Sequence, residues 1–342
     1  MNYLTSVLRS LIFAAVTAIA LSNLAVADYQ KTQLNFEHGG NQLEGILIKP
    51  KRLKGPTPVL LFIDGDGDAP YDGYGYSEHV WRSLADVGIA SFSWNKPGVG
   101  GSTGNWLHQS LEERADEVIA AIEMLKLRED ILEHKIGLIG WSQAGWVMPI
   151  VASKSDYPDF MIVVSGAINW MDQGHYMRTV RMMREGATQL EIDAAKVASL
   201  STAERHFSMS YEEYAVQVST GGDDPMSRDR FRFVQLNWRS DARHHLKDID
   251  CPVLAIFGGQ DVNVDTVESA KIYRQEFGKA GNHDLTIQLF PDAQHGILKG
   301  RHFSVQKPGL WFLTKLAFLG ADAFADGYLD LIASWAKEQT AP

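Results

Sequence analysis

The chain has 342 residues, 45% hydrophobic and 22% charged, the profile of a globular protein with material for one large core or two domains. Its formal net charge of −10 argues against nucleic acid or an anionic membrane surface as a partner. The one cysteine, Cys251, excludes an intramolecular disulfide, and the 11 scattered histidines offer no clustered donor set for zinc, so neither metal nor cofactor is expected.

Residues 1–27 read "MNYLTSVLRSLIFAAVTAIALSNLAVA". Arg9 supplies a basic start, an apolar run begins at Leu11, and Ala25-Val26-Ala27 forms an A-x-A cleavage site. Ser22 and Asn23 interrupt the run, short of the roughly 20 apolar residues a span needs. The expectation is a signal peptide and an exported protein, periplasmic or extracellular, with no stable membrane span after processing.

Next, residues 34–38 and 42–48 flank the turn "GGN" and predict an opening hairpin. The apolar run 59–63 predicts a strand buried on both faces. In "IDGDGDAPYDGYGY" (63–76), Asp64, Asp66, Asp68 and Asp72 have the spacing of EF-hand ligands. Ala69 takes the turn position, however, and Gly75 the twelfth, where a bidentate Glu belongs, so the loop is not read as a calcium site. Ser77 is expected to cap a helix carrying Val80, Leu84 and Val87, closed by Gly88. "GIASFSW" is the following strand, and Ser110 with Glu113 forms a capping box for an amphipathic helix.

Further strands fall at 135–140, 160–166, 252–258 and 285–290, and a last helix places Phe324, Tyr328, Leu331, Ile332 and Trp335 on one face. Between Gly166 and Cys251 no strand pattern occurs. Thr188/Glu191, Ser201/Glu204 and Ser210/Glu213 instead offer capping-box starts for helices. The predicted fold is α/β: a mostly parallel eight-stranded sheet with helices on both faces, its core formed by 28–166 and 248–342, with a helical cap at 167–247.

The strand at 135–140 runs into "GWSQAGW". In such a G-x-S-x-small turn a sharp strand-to-helix connection lifts the Ser142 hydroxyl over the sheet edge, between the small residues Gly140, Ala144 and Gly145. A serine needs a base, and the base an orienting acid. Asp261 follows one later strand and His295 the next, the order Ser, Asp, His, all at carboxyl ends of strands. Asp265 and Asp292 remain alternatives for the acid. His283, His302, His244 and His245 are poorly placed for the base.

With these residues the chain resembles the α/β-hydrolase superfamily over essentially all of 30–338, most of all its secreted bacterial serine esterase and acyl-peptidase-like branches. The resemblance implies an oxyanion hole from the backbone N–H groups of Asp66 and Gln143, since Asp64-Gly65-Asp66-Gly67 stands where relatives carry His-Gly-x-Gly. "WNKPGVGGSTGNW" (94–106) is similar to their D-x-R-G-x-G-x-S-T-G loop. Asp64 departs from the usual His and Ala144 from the usual Gly. The carboxylates of Asp64 and Asp66 must therefore point away or be neutralised, by Lys96 or Arg82.

The implied function is cleavage of a small ester or acyl substrate by Ser142, His295 and Asp261. Trp141, Trp170, Met171 and Tyr176 are candidates for the substrate pocket. A peptidase or amidase with the same three residues, and a non-catalytic binding protein on the same fold, are the alternatives. An Asp nucleophile, as in dehalogenases, is excluded by Ser142. Natural substrate and oligomeric state are not legible.

Overall fold

The computed structural model describes residues 29–53, 55–304 and 309–341, so the expected signal segment 1–27 lies outside the described residues. The strands are β1 (Tyr29–Gln33), β2 (Phe36–His38), β3 (Asn41–Leu43), β4 (Gly45–Pro50), β5 (Thr57–Ile63), β6 (Ala90–Trp94), β7 (Ile131–Trp141), β8 (Phe160–Val164), β9 (Val253–Gly258) and β10 (Leu285–Phe290). Eight of them form one sheet in the order β1-β4-β6-β5-β7-β8-β9-β10. β4 runs antiparallel to both neighbours, and the other adjacent pairs are parallel.

β5 shows why an unbroken apolar run belongs at the centre of such a sheet. Val59, Leu61 and Ile63 point into one core cluster, and Leu60 and Phe62 into the other. The first cluster is closed by α2 (Leu111–Lys126), α3 (Ala144–Lys154) and α9 (Thr266–Ala280), the second by α1 (Tyr76–Asp86) and α12 (Tyr328–Thr340). Each fully buried Leu or Phe on these faces contributes about 1.5–3 kcal/mol.

Between β8 and β9 the chain is helical: α4 (Trp170–Arg184), α5 (Gln189–Phe207), α6 (Tyr211–Thr220), α7 (Arg228–Asn237) and α8 (Arg243–Leu246). This is the cap. α7 fastens it to the sheet domain. Asp229 accepts from Asn105 Nδ2 (3.0 Å) and contacts His108 Nε2 (2.8 Å), while Asn237 accepts from the Leu111 N–H (2.9 Å). Two short helices, α10 (Gly300–Phe303) and α11 (Leu310–Leu319), lie between β10 and α12.

Four expectations need correction. Residues 34–38 do not join the main sheet: β2 and β3 pair separately, and β1 takes the edge place. Only Glu44 separates β3 from β4, whose first residue Gly45 is closely approached by the earlier chain: a Cβ there would lie 2.5 Å from Leu34 O. Ser77 does not cap α1; Gly75, at φ +91°, is the N-cap and Ser77 is buried inside the helix. Ser201 starts no helix, because α5 runs through it and its hydroxyl donates back to Ala198 O (3.1 Å). Phe324 precedes α12 and packs, buried, against Tyr328. The capping boxes at Ser110, Thr188 and Ser210 form as predicted.

Candidate active site

Ser142 occupies the turn between β7 and α3 at φ +54°, a conformation rarely tolerated outside glycine and one concentrated at functional sites. The turn is held on both sides. Ser142 N–H donates to Val164 O (3.0 Å), and its carbonyl accepts from the N–H groups of Gly145 (2.9 Å) and Ala167 (3.1 Å). A Cβ at Gly140 would lie 2.4 Å from Ala144 Cβ, and one at Gly145 would lie 2.6 Å from Ala167 N. The small residues of the motif are therefore contact requirements.

The loops after β9 and β10 are laced together by Gly259 N–H to Phe290 O and Gln260 N–H to Ala293 O, both 2.8 Å. Asp261 Oδ1 accepts from the N–H groups of Asn263 (2.7 Å) and Val264 (3.0 Å), leaving Oδ2 for His295 Nδ1 at 2.8 Å. The Asp261 carboxylate is fully buried and the His295 ring is 21% exposed. Burial works against a charged ring, but the adjacent Asp261 carboxylate outweighs it and raises the His295 pKa above its ordinary 6.5. With Nδ1 engaged, Nε2 is the nitrogen left for chemistry. Tyr76 OH donates to Gly296 O (2.8 Å) and meets Tyr328 OH (3.1 Å), which steadies the histidine loop from below. Ser142 Oγ makes no hydrogen bond among the described residues; such contacts are commonly loose until substrate binds. Of the alternative acids, Asp265 caps α9 through the Glu268 N–H (3.0 Å) and is thereby committed elsewhere.

The loop after β5 passes over Ser142: a Cβ at Gly65 would lie 3.2 Å from both Ser142 Cβ and Trp141 O. Neither the Asp66 N–H nor the Gln143 N–H has an acceptor among the described residues. Asp66 is held by Arg230 of α7 through two bonds (2.9 and 2.8 Å) and approached by Gln143 Nε2 (3.3 Å). Against the effect of burial, Arg230 keeps the Asp66 carboxyl below its usual range. Burial pushes Asp64 up to about 6, opposed by Lys96 and Arg114. Lys96 donates to the carbonyls of Gly65 and Gly67 (2.6 Å for the second) and is 1% exposed.

Of the two cations proposed to neutralise this loop, Lys96 takes part. Arg82 belongs to α1, where its charge acts on His79. The decisive partners Arg114 and Arg230 were not legible, since each reaches the loop from a helix distant in sequence.

The predicted pocket residues separate. Trp141 packs in the second core cluster, its indole N–H donating to Tyr76 OH (3.1 Å). Trp170 and Met171 line a cavity of about 490 Å³ inside the cap, with Arg178, Phe207 and Val234. Tyr176 lines a second of about 440 Å³ between α4 and α9, and its hydroxyl donates to Asp261 O (2.8 Å). Neither cavity is lined by Ser142 or His295.

Residues 71–301 match the model of the family described as serine aminopeptidase, S33, and the chain belongs to that family of α/β hydrolases. Its fold is similar to an esterase of Pyrococcus furiosus (15% identity, TM-score 0.55, covering 78% of this chain and 84% of that one). It is similar too to Est1E of Butyrivibrio proteoclasticus, solved with ferulic acid bound (15%, 0.53, 89% and 96%). The acylaminoacyl peptidase of Pyrococcus horikoshii shares the fold at 16% identity and TM-score 0.52, covering 92% of this chain but 45% of that larger one. No curated protein sequence matches. Among the described residues no helix is long and apolar enough to cross a membrane.

Proposed function

We propose that this protein is an exported serine hydrolase acting on carboxylic esters. His295 Nε2 takes the proton of Ser142 as Oγ attacks the ester carbonyl. The N–H groups of Asp66 and Gln143 receive the oxyanion, and the alcohol leaves with the proton returned by His295. Water then attacks the acyl-enzyme by the same route in reverse order. Asp261 holds the ring in the required tautomer and offsets its charge. The 2.8 Å Asp261–His295 pair on neighbouring strand ends, in the same sheet whose β7 leads into the positive-φ Ser142, supports this reading. The A-x-A segment at 25–27 supports export. Amide cleavage by the same residues is the second reading, favoured by the family's description as an aminopeptidase.

The test is fluorophosphonate labelling of the protein, with the adduct located by mass spectrometry and Ser142→Ala as control. One adduct, on Ser142, is expected, followed by faster turnover of aryl and alkyl esters than of aminoacyl amides. A folded protein that takes no label would sink the reading and leave a binding role on a hydrolase fold.

A further inference from the structure

Two buried cations grip the loop that arches over Ser142, and they grip it by its carbonyls. Arg114 Nη2 of α2 donates to Asp64 O (3.1 Å), and Lys96 Nζ donates to Gly65 O and Gly67 O. Arg114 and Lys96 are 4% and 1% exposed, so both charges are withdrawn from water and committed to this contact. That is a costly use of two cations. An unpaired buried charge is strongly unfavourable, and one retained with backbone partners fixes geometry.

The geometry fixed is that of a peptide plane. In a trans peptide the C=O and the following N–H point in opposite directions. Drawing Gly65 O toward Lys96 turns the Asp66 N–H to the other edge of the loop. Gly65 itself lies so near Ser142 that a Cβ on it would touch Ser142 Cβ at 3.2 Å, so the orientation of this peptide bears directly on the serine. A carbonyl that accepts from a cation also polarises its peptide and strengthens the N–H as a donor.

Lys96 is itself held firmly. It leaves the end of β6, the strand beside β5, and its own carbonyl accepts from the Val99 N–H (3.0 Å). Its ammonium lies 5.0 Å from the centroid of the Trp106 ring. The turn that follows closes at Gly98, φ +80°, where a Cβ would strike Gly104 O at 2.6 Å.

We infer that Lys96 is a positioning residue for the oxyanion hole: it sets the Gly65–Asp66 peptide so that the Asp66 N–H faces the carbonyl attacked by Ser142. This rests on the proposed serine-hydrolase reading and adds to it a residue that touches no substrate. The groups facing the ammonium are Asp64 and Asp66 from the loop and Arg114 and Glu117 from α2. Burial, reinforced by Arg114, brings the Lys96 pKa down to about 7, against the pull of the three carboxylates. Loss of that proton weakens the grip on both carbonyls, so turnover carries an alkaline limb near neutrality that a Ser-His-Asp site alone does not supply.

The experiment compares wild type, Lys96→Met and Lys96→Gln on an activated ester. Active sites are counted by fluorophosphonate titration, and affinity is measured for a trifluoromethyl ketone that forms the tetrahedral adduct. Lys96→Met should lower kcat per titrated site by about 10²–10³, the range for losing one oxyanion donor, with KM little changed. Ketone affinity should fall by a similar factor, and the alkaline limb should vanish. Lys96→Gln, able to hold one carbonyl, should fall between the two and also lack the limb. A merely structural lysine would lower the number of titratable sites and leave kcat per site and the pH profile unchanged; that result overturns the inference while the serine-hydrolase reading stands. If Lys96→Met does not fold, Lys96→Gln and the wild-type profile decide, and a wild type flat between pH 7 and 9 overturns it. A wild type that takes no label overturns both.

Discussion

Around Ser142 there is no room for a methyl group at Gly140 or Gly145, and the serine's own backbone is tied to β8 and to the start of the cap connection. In α5, by contrast, Leu190, Val197 and Leu200 are 80, 78 and 51% exposed, and α4 has no fully buried residue. One region is specified by contact at almost every atom. The other is specified by helix caps and by a few anchors: Tyr176 on Asp261, Arg230 on Asp66, and Asp229 on Asn105 and His108. Under the proposed function, chemistry that depends on tenths of an ångström would sit on the first and substrate recognition on the second. The anchors are few, but two of them land on the proposed machinery itself.

The comparison can be broken most decisively at its rigid side. Asp261→Asn keeps the shape of the buried carboxylate but presents the wrong hydrogen-bonding partner to His295 Nδ1. Its kcat on an ester should fall by about 10⁴, with thermal unfolding little moved. A fall under tenfold would show that Asp261 does not orient the base. Leu61→Ala, in the central strand, should destabilise the fold by about 2–5 kcal/mol in chemical denaturation, through lost burial and an unfilled cavity.

A subtler lever is pH. His295 must be neutral to accept the serine proton, and its pKa is raised, so in Lys96→Gln, which lacks the alkaline limb, kcat/KM should climb with pH through a value above 6.5. The same proton acts on stability in the opposite sense. A raised folded-state pKa adds stability that is complete below 6.5 and is lost as pH rises through the folded value. Across that window the activity of Lys96→Gln should grow while this increment of stability declines. Calorimetry beside rate measurements checks it, and Asp261→Asn should move both limbs down. The smallest effects belong to the cap surface. Val197→Ser and Leu190→Ser should each change stability by under about 0.5 kcal/mol and leave kcat unaltered.

What could be read from the chain follows the same division. Runs such as 59–63 and the motif around Ser142 declare themselves because local sequence alone imposes them: a strand buried on both faces must be apolar, and a crowded turn must be small. Asp261 and His295 were legible because each falls just beyond a strand, where parallel sheets place their sites. Arg230 was not, because its pairing with Asp66 spans 164 residues and depends on how α7 docks. The capping signal at Ser201 was overridden within α5, and the hairpin at 34–48 was divided at Glu44, with β2 and β3 paired apart and β4 taken into the main sheet. Trp141 looked like a pocket residue from its place beside Ser142, yet it faces the layer beneath, where Tyr76 awaits its indole N–H.

That tyrosine ties together three parts of the chain that are far apart in sequence: α1, the loop bearing His295, and the first residue of α12. The closing helix is thus no appendage. Tyr328 reaches the Gly296 carbonyl only through the Tyr76 hydroxyl, so the seat of the histidine loop is coupled to how α12 packs against α1.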